Sequence, residues 1–503
     1  MNTNSSFDTA FFGHPRGLSV LFFTEFWERF SYYGMRALLI LFMTAQLANG
    51  GLGFDTAKAG IIYGAYTSLV YLMSVPGGWL ADHFFGQRRA ALYGAVVIMF
   101  GHIALAIPTL TGFYVGLALV VLGTGLLKPN VSTMVGQLYR ADDTRRDAGF
   151  SIYYMGINLG AFLSPFFTGW LGQSESFRGI LTRMGLQPEH AWHWGFGLAA
   201  VGMFVGIIQY MMGWKYLGET GLEPVEITSA EARGSRNLQL GIGLAFTTAT
   251  IGLLWVLNST GRIVLTPVLV SKGFGVLLLA AVVFIFGRLL LDRSWTREER
   301  TRLVVVLILF LASCMFWALY EQAGSTLSLF AQRNTDSSLF GMAFPSSWFQ
   351  SVPALFVITL APVFGLLWLK LGPREPSTPT KFTIGLVLVA AGFAVLIIPA
   401  AAGGRASPLW LCLTFLLHVM GELCLSPVGL SATTRLAPAR VGGMMMGVFL
   451  MSIAVGTYLG GQVASVYDKY SLATLFALVA AAALIAAVIL AMFIKPIARM
   501  LAR

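Results

Sequence analysis

The stretch "TEFWERFSYYGMRALLILF", residues 24–42, carries four charged residues in a segment that is otherwise apolar enough for lipid. They are Glu25, Glu28, Arg29 and Arg36. Each charge at mid-bilayer costs on the order of 3 kcal/mol on insertion scales. The whole chain is nevertheless biased toward lipid, since 56% of its 503 residues are hydrophobic and only 11% are charged. A soluble domain has roughly a quarter charged residues, and we therefore predict a chain that folds in a membrane.

Apolar stretches long enough to cross a bilayer, which takes about 20 residues, recur along the whole chain. They predict an all-α polytopic membrane protein with fourteen spanning helices. We expect one domain at 1–217, a linker with two extra spans at 218–301, and a second domain at 302–503. The predicted spans are 18–46, 58–81, 90–110, 112–138, 148–172, 194–217, 238–258, 266–290, 303–325, 347–371, 382–401, 408–434, 442–466 and 471–495.

Lys and Arg concentrate in alternate loops, and this bias predicts the orientation. The richer loops lie near 88–89, 140–146, 215–236, 293–302, 370–381 and 435–440, and the C-terminal end belongs with them. Both termini are therefore expected in the cytoplasm. The net charge of +11 is interpreted as this orientation bias and not as a surface for nucleic acid. The polar start has no cleavage site, so we expect the first span to be retained.

The two groups of six spans also look like copies of each other. The segment "LLKPNVSTM" (126–134) parallels "CLSPVGLSA" (424–432), and "GWLADHFFGQRR" (78–89) has a counterpart in "GLLWLKLGPRE" (365–375). Repeated halves are typical of transporters that rock around a central site. The loop 78–89 also resembles the signature loop of the major facilitator superfamily. We therefore expect the major facilitator fold, with two six-helix bundles plus two extra central helices.

The polar residues of the first span recur at spacings of three and four, which places them on one face of a helix. One interpretation is a structural salt bridge within the helix, because Glu25 and Arg29 are four residues apart. Such pairs supply only about 0.2–0.5 kcal/mol in water, too little to account for so many buried ions. The other interpretation is that the face borders a polar cavity. The face consists of Glu25, Glu28, Arg29, Tyr32, Tyr33 and Arg36.

Three more charges lie deep in other predicted spans. Lys128 has about ten span residues on either side, which argues against the alternative of a side chain that snorkels to the surface. Glu321 and Glu422 are lone acids in the predicted spans 303–325 and 408–434, and each needs a cation or a proton. Ion pairs with Arg29, Arg36 or Lys128 would cross between the two halves. Such pairs could break and form again as the halves rock.

The motifs together resemble the proton-dependent oligopeptide transporter family. "EFWERFSYYGM" is similar to its E-x-x-E-R-F-x-Y-Y signature, and "FSIYYMGINLGAFLSP" (150–165) to its second signature, F-Y-x-x-I-N-x-G. "GTGLLKPN", "FWALYEQAGS" and "FPSSWFQS" also match in order, and two extra helices are typical of bacterial members. The resemblance implies a symporter that imports di- and tripeptides with protons by alternating access. It implies no cofactor beyond the coupling proton, no metal, and a monomer in the lipid bilayer.

The resemblance also implies roles for individual residues. The residues implied in proton coupling are Glu25, Glu28 and Arg29. Arg29 and Lys128 would bind the peptide carboxylate, whereas Asn158 and Glu422 would hold its amino terminus. The aromatic lining of the site would be Tyr32, Tyr33 and Tyr71, although ordinary helix packing is an equal alternative for each tyrosine taken singly. Two ion pairs would act as gates, Arg36 with Glu321 and Lys128 with Glu422.

Three positions depart from the family pattern. Pro353 stands where many members have an Asn that contacts the amino terminus of the peptide. Phe449 replaces a common Trp, which would reshape a side-chain pocket. Gly64 stands where animal relatives carry a His, so proton coupling here should not depend on a His at that place.

Other functions remain open at this point. The nearest alternative is a proton-coupled major facilitator transporter of another small substrate, such as a peptide-like drug, an amino acid derivative or nitrate. A membrane enzyme would need a motif such as H-E-x-x-H or G-x-S-x-G, and neither occurs in the sequence. A structural or receptor scaffold would not explain why ionisable residues share an interior. The sequence leaves open the peptide length, the number of protons, the glutamate that carries the proton and the resting conformation.

Overall fold

The protein is described by a computed structural model over residues 9–140, 142–224, 230–339, 341–436, 438 and 441–501. The start of the chain at 1–8, the middle of the linker at 225–229, and Arg440 and Arg503 lie outside the described residues, so the predictions that involve them are not addressed.

The first part of the chain forms one helical bundle. In it α1 packs against α6 and α8, while α4 packs against α5 and α8. Polar caps begin three of the helices: Asp55 accepts a hydrogen bond from the backbone N–H of Lys58, Thr109 accepts one from Gly112, and Ser174 accepts one from Phe177. The helices are α1 (Arg16–Thr44), α2 (Thr56–Leu72), α3 (Ser74–Leu80), α4 (Gln87–Ala106), α5 (Leu110–Gln137), α6 (Arg146–Gln173), α7 (Glu175–Arg183) and α8 (Ala191–Gly213).

Two long helices follow, α9 (Ala230–Ser259) and α10 (Pro267–Leu291). Helix α10 contacts α2 and α11. The apolar window of α9 within 234–259 is not buried against protein, as expected of a helix that faces lipid.

The last part of the chain forms a second bundle. In it α14 packs against α15 and α17, and α11 packs against α16. Helix α11 starts with a capping box between Thr296 and Glu299. A small hairpin, β1 (Ser338–Leu339) with β2 (Met342–Ala343), lies in a loop. The helices are α11 (Arg297–Tyr320), α12 (Thr326–Asn334), α13 (Ser351–Leu371), α14 (Thr378–Ala402), α15 (Pro408–Leu436), α16 (Gly442–Ala464), α17 (Leu472–Met492) and α18 (Ile494–Leu501).

Each of the fourteen predicted spans coincides with a long helix or a helix pair. Twelve of them are apolar enough and long enough to cross a membrane among the described residues. Helices α1 and α6 have 29 and 28 residues but do not belong to these twelve. The charges of α1 lower its hydropathy, and the count of fourteen stays a prediction for these two helices.

Two predicted spans differ from the observed helices. The second span, predicted at 58–81, is interrupted at Met73, where α2 ends and α3 begins. The ninth, predicted at 303–325, ends as an α-helix at Tyr320, and a 3₁₀ turn over Glu321–Gly324 leads into α12. Each break nevertheless lies inside one candidate membrane span, Thr56–Phe85 for the first and Arg297–Asn334 for the second.

The two bundles meet at one end of the molecule, which we call the closed end. Helix α2 packs against α16 so tightly that a Cβ atom on Gly64 would lie 2.7 Å from the Cα of Gly461. Nearby, Arg333 Nη2 donates a hydrogen bond to Thr56 over 3.1 Å, and Gln173 Nε2 donates to Ser346 over 3.2 Å. The closed end lies opposite the start of α1 and the end of α17.

Candidate functional site

A cavity of about 260 Å³ lies between the two bundles, and both of its walls are charged. This is close to the lower end of the range of ligand pockets, about 300–1,000 Å³. The first bundle contributes Glu25, Arg29, Tyr33, Arg36, Tyr71, Lys128, Tyr154 and Asn158. The second bundle contributes Trp317, Tyr320, Glu321, Gln350, Pro353 and Glu422.

The charged residues of α1 form a buried cluster at one wall. Arg29 Nε lies 3.1 Å from Glu25 Oε1, and Arg29 also contacts Glu28. Tyr153 donates a hydrogen bond of 2.7 Å to Glu25 Oε2. Both glutamates are fully buried and Arg29 is 3% exposed. Two carboxylates therefore share one guanidinium away from bulk water, where charge balance matters most.

Arg36 and Glu321 form an ion pair that joins the bundles. Arg36 Nη2 lies 2.7 Å from Glu321 Oε2, and Arg36 Nε donates to the hydroxyl of Tyr63 over 2.6 Å. A Cβ atom on Gly324 would lie 1.8 Å from that hydroxyl, so this site needs a glycine. Because α11 ends at Tyr320, the following turn presents Glu321 to the first bundle.

Lys128 and Glu422 line the same cavity but are not paired with each other in the part of the chain that the structure describes. Lys128 Nζ lies 4.5 Å from the centre of the Tyr71 ring, a cation–π contact. Glu422 Oε2 accepts a short hydrogen bond from Tyr320. The predicted ion pair is therefore not formed in this conformation, because each charge has another partner.

Not every predicted site residue reaches the cavity. Tyr33, Tyr71 and Asn158 line it, whereas Glu28 and Tyr32 lie behind the wall. Arg29 Cζ lies 5.2 Å from the centre of the Tyr32 ring, so that ring supports Arg29 from the protein side. The place of Tyr32 agrees with helix packing, the alternative that the sequence left open.

Three tyrosines at the site were missed by the interpretation of the sequence. Tyr63, Tyr153 and Tyr320 hold Arg36, Glu25 and Glu422 respectively. Tyr320 directly precedes Glu321, and Tyr153 lies in the second signature, so position offered a signal for both. Tyr63 had none, since a tyrosine in an apolar span packs equally well as an ordinary core residue.

The three departures from the family pattern occupy different places. Pro353 lines the cavity, where it offers no side-chain donor or acceptor. Phe449 lines a separate narrow gap beside Ser313 and Ser452. Gly64 lies at the contact of α2 with α16, where no larger side chain fits without a shift of one helix.

A charged cavity between two helical bundles, shut at one end and inside a polytopic chain, defines a membrane transporter. Such a cavity can hold a small zwitterion, since cations lie on one wall and a carboxylate lies on the other. Among the described residues, no group of three or more His, Cys, Asp or Glu could hold a metal ion.

The chain belongs to the POT family, whose model matches residues 88–482. It is 45% identical over 467 residues to the uncharacterized transporter YclF of Bacillus subtilis, covering 92% of this chain and 89% of that one. It is 40% identical over 523 residues to the peptide transporter YePEPT of Yersinia enterocolitica, covering 99% and 98%. A crystal structure of a peptide transporter POT in complex with sulfate superposes with a TM-score of 0.89, at 42% identity and with 98% and 96% covered.

These similarities confirm the family predicted from the motifs and the all-α major facilitator fold. The chain is a transporter and not an enzyme, so the alternative of a membrane enzyme is excluded. It is also a multi-pass membrane protein.

Proposed function

We propose that the protein is a proton-coupled symporter that imports di- and tripeptides by alternating access. The observation that carries this proposal is the arrangement of Arg29 and Lys128 opposite Glu422 across one small cavity. A peptide has a carboxylate at one end and an ammonium at the other, whatever its side chains. A site for many peptides must therefore recognise both ends and tolerate what lies between them.

Arg29 and Lys128 bind the peptide carboxylate on this proposal. Nη2 of Arg29 has no hydrogen-bond partner among the described residues, and hydrogen bonds from Arg to a carboxylate are strong. Glu422 and Asn158 hold the amino terminus, and Tyr33 and Tyr71 line the space between. In support, a relative from Lactococcus lactis is a di-/tripeptide transporter, at 36% identity. A POT family transporter, also at 36% identity, was solved with a thioalcohol conjugated peptide.

Charge balance links the substrate to the proton. The cluster of Glu25, Glu28 and Arg29, taken with Lys128, is neutral when all four groups are charged. A peptide carboxylate at Arg29 and Lys128 adds one negative charge to this buried place. A proton on Glu25 or Glu28 restores neutrality, so the two ligands favour each other. An inward membrane potential adds about 2.3 kcal/mol per charge for each 100 mV.

The gate pair of Arg36 and Glu321 holds the closed end, which we place on the extracellular side. Both termini are then cytoplasmic and the cavity faces the cytoplasm, in the inner membrane of a bacterium. The rocking units are the domains 1–217 and 302–503, with the extra helices of 218–301 beside them. Lys128 and Glu422 form the second gate pair in another conformation. We propose that a single chain completes the cycle.

Uptake by purified protein in liposomes tests the proposal. A labelled dipeptide should accumulate when an inward proton gradient is imposed, and the accumulation should collapse with a protonophore. Equal uptake with and without the gradient would contradict symport. Saturable uptake of another small solute with no competition from dipeptides would favour the alternative substrate class.

Glu25→Gln and Glu28→Gln should abolish gradient-driven uptake while they spare counterflow exchange of peptide, because exchange does not require net proton movement. Glu175→Gln is a matched control, since the side chain of Glu175 is 92% exposed and lies outside the cavity. Unchanged driven uptake in both test variants would reject the coupling role.

A further inference from the structure

A second cavity lies away from the substrate site, between α10 and the second bundle. It has a volume of about 650 Å³, and helices α10, α11, α16 and α17 contribute its walls. The lining is almost wholly apolar and includes Leu278, Val282, Leu311, Met315, Ala486 and Phe493. All four helices are membrane spans, so the groove opens to the hydrocarbon layer and not to water.

Helix α10 contacts the second bundle near Tyr458 and near Phe310, and the groove is the gap between α10 and that bundle. At one contact, a Cβ atom on Gly275 would lie only 2.2 Å from the hydroxyl oxygen of Tyr458. That hydroxyl donates a hydrogen bond of 3.1 Å to the carbonyl of Ser271, so the tyrosine hydroxyl at this contact already has a partner. At the other contact, the rings of Phe286 and Phe310 meet edge to face at 5.0 Å.

The apolar lining of the groove favours an acyl chain as the bound group. An empty apolar space of this size forfeits the dispersion contacts of its lining atoms. Water would gain few hydrogen bonds from this lining, because its tyrosine hydroxyl, that of Tyr458, already donates to Ser271. A flexible hydrocarbon chain, in contrast, fits an irregular apolar gap.

The charges beside the groove select the headgroup. Phe493 lines the groove at the end of α17, and the exposed Lys495 follows two residues later. The exposed Arg288 lies in the last turn of α10, at the same side of the membrane. Neither cation forms an ion pair with any acid that the structure describes. Basic groups at the end of an intramembrane groove attract anionic phospholipid headgroups.

We propose that this groove binds one acyl chain of an anionic phospholipid, whose phosphate lies at Lys495 and Arg288. The lipid fills the space between α10 and the second bundle and holds the extra helix against α11 and α17. This site is separate from the peptide site, and its test does not depend on transport.

Native mass spectrometry of the full chain, purified in detergent, tests the proposal with two probes of identical acyl chains. These are palmitoyl-oleoyl phosphatidylglycerol, which is anionic, and palmitoyl-oleoyl phosphatidylcholine, which is zwitterionic. We expect one phosphatidylglycerol to be retained per protein. Ala486→Phe fills the groove and should abolish retention, whereas Ala481→Phe on the exposed face of α17 should preserve it.

The headgroup is tested by Lys495→Gln and Arg288→Gln, which are exposed and leave the groove itself unchanged. We expect about fivefold weaker retention for each cation removed. Equal retention of the two lipids would overturn the assignment of an anionic headgroup. Equal retention in Ala486→Phe and Ala481→Phe would overturn the groove as the site. Should Ala486→Phe fail to fold, unchanged retention in the double variant of Lys495 and Arg288 would still refute the proposal.

Discussion

The ion pair of Arg36 with Glu321 links the two bundles, so its loss should open the closed end. We consider Glu321→Gln, which keeps the shape of the side chain and removes its charge. The pair has an N–O distance of 2.7 Å, and each residue is only 5% exposed. Because Arg36 belongs to the first bundle and Glu321 to the second, the interaction exists only while the end is closed.

The free-energy cost of Glu321→Gln follows from the contacts that Arg36 keeps and from the one that it loses. It keeps the hydroxyl of Tyr63 at 2.6 Å and the face of the Tyr33 ring at 5.6 Å. It loses a charged partner, and removal of one member of a buried pair costs about 3–5 kcal/mol. Because the Gln can still accept a hydrogen bond from Arg36, we expect a smaller cost than this. A loss of about 2 kcal/mol is typical of a hydrogen bond to a charged group. This reduces the ratio of closed to open molecules about thirtyfold.

Pulsed electron paramagnetic resonance can measure this shift directly. Spin labels at Leu47 and Leu409 would report the distance across the closed end, since these residues belong to different bundles and are 74% and 71% exposed. The three native cysteines would first be replaced. Glu321→Gln should add a population with a longer distance. Glu375→Gln is the matched control, because its partner Lys381 lies in the same bundle.

An unchanged distance distribution in Glu321→Gln would refute the gate. A double-mutant cycle with Arg36→Gln provides a second check. If the pair acts directly, the double variant should shift the equilibrium by less than the sum of the single variants. Additivity within about 0.5 kcal/mol would show that the two residues act independently.

Three further predictions concern other parts of the molecule. Lys128→Gln should weaken dipeptide binding about tenfold to a hundredfold but leave binding of a peptide amide unchanged, as measured by competition of uptake. Gly461→Leu should favour the open state in the same distance measurement, because a Cβ atom there would lie 2.4 Å from the Cα of Gly64. Arg88→Gln should lower the melting temperature, with the exposed Arg89→Gln as control. Arg88 makes three hydrogen bonds to linker carbonyls, and their loss should cost about 2 kcal/mol.

The helices were predictable because apolar length is a local property of the chain. The breaks between consecutive helices were not, since they depend on contacts between distant segments. At the break near Met73, a Cβ atom on Gly77 would lie 2.0 Å from the carbonyl oxygen of Gly125. This approach of α3 to α5 is invisible to hydropathy. The break at Glu321 likewise accompanies its ion pair with Arg36 in another bundle.

The charged residues of the site were predictable from the sequence. The tyrosines that hydrogen-bond to them were less predictable. Charged residues stand out in an apolar span, because lipid offers no reason to keep them. Of the six residues on the predicted face of α1, Glu25, Arg29, Tyr33 and Arg36 line the cavity. The tyrosines that hold the carboxylates come from other helices. The contacts of these tyrosines depend on both the fold and the conformation of the protein. The spacing of residues in the sequence indicates neither the fold-level contact nor the conformation.

The separate partners of Lys128 and Glu422 bear on how a peptide would drive the cycle. Both charges line the cavity while the opposite end is shut, and each is held by an aromatic residue of its own bundle. A bound zwitterion, with its carboxylate at Lys128 and its ammonium at Glu422, would link the bundles through the same two charges. Direct pairing of Lys128 with Glu422 and binding of peptide are then mutually exclusive. Because a ligand shifts an equilibrium only by its differential affinity, this competition is a physical means for substrate to select one conformation over the other.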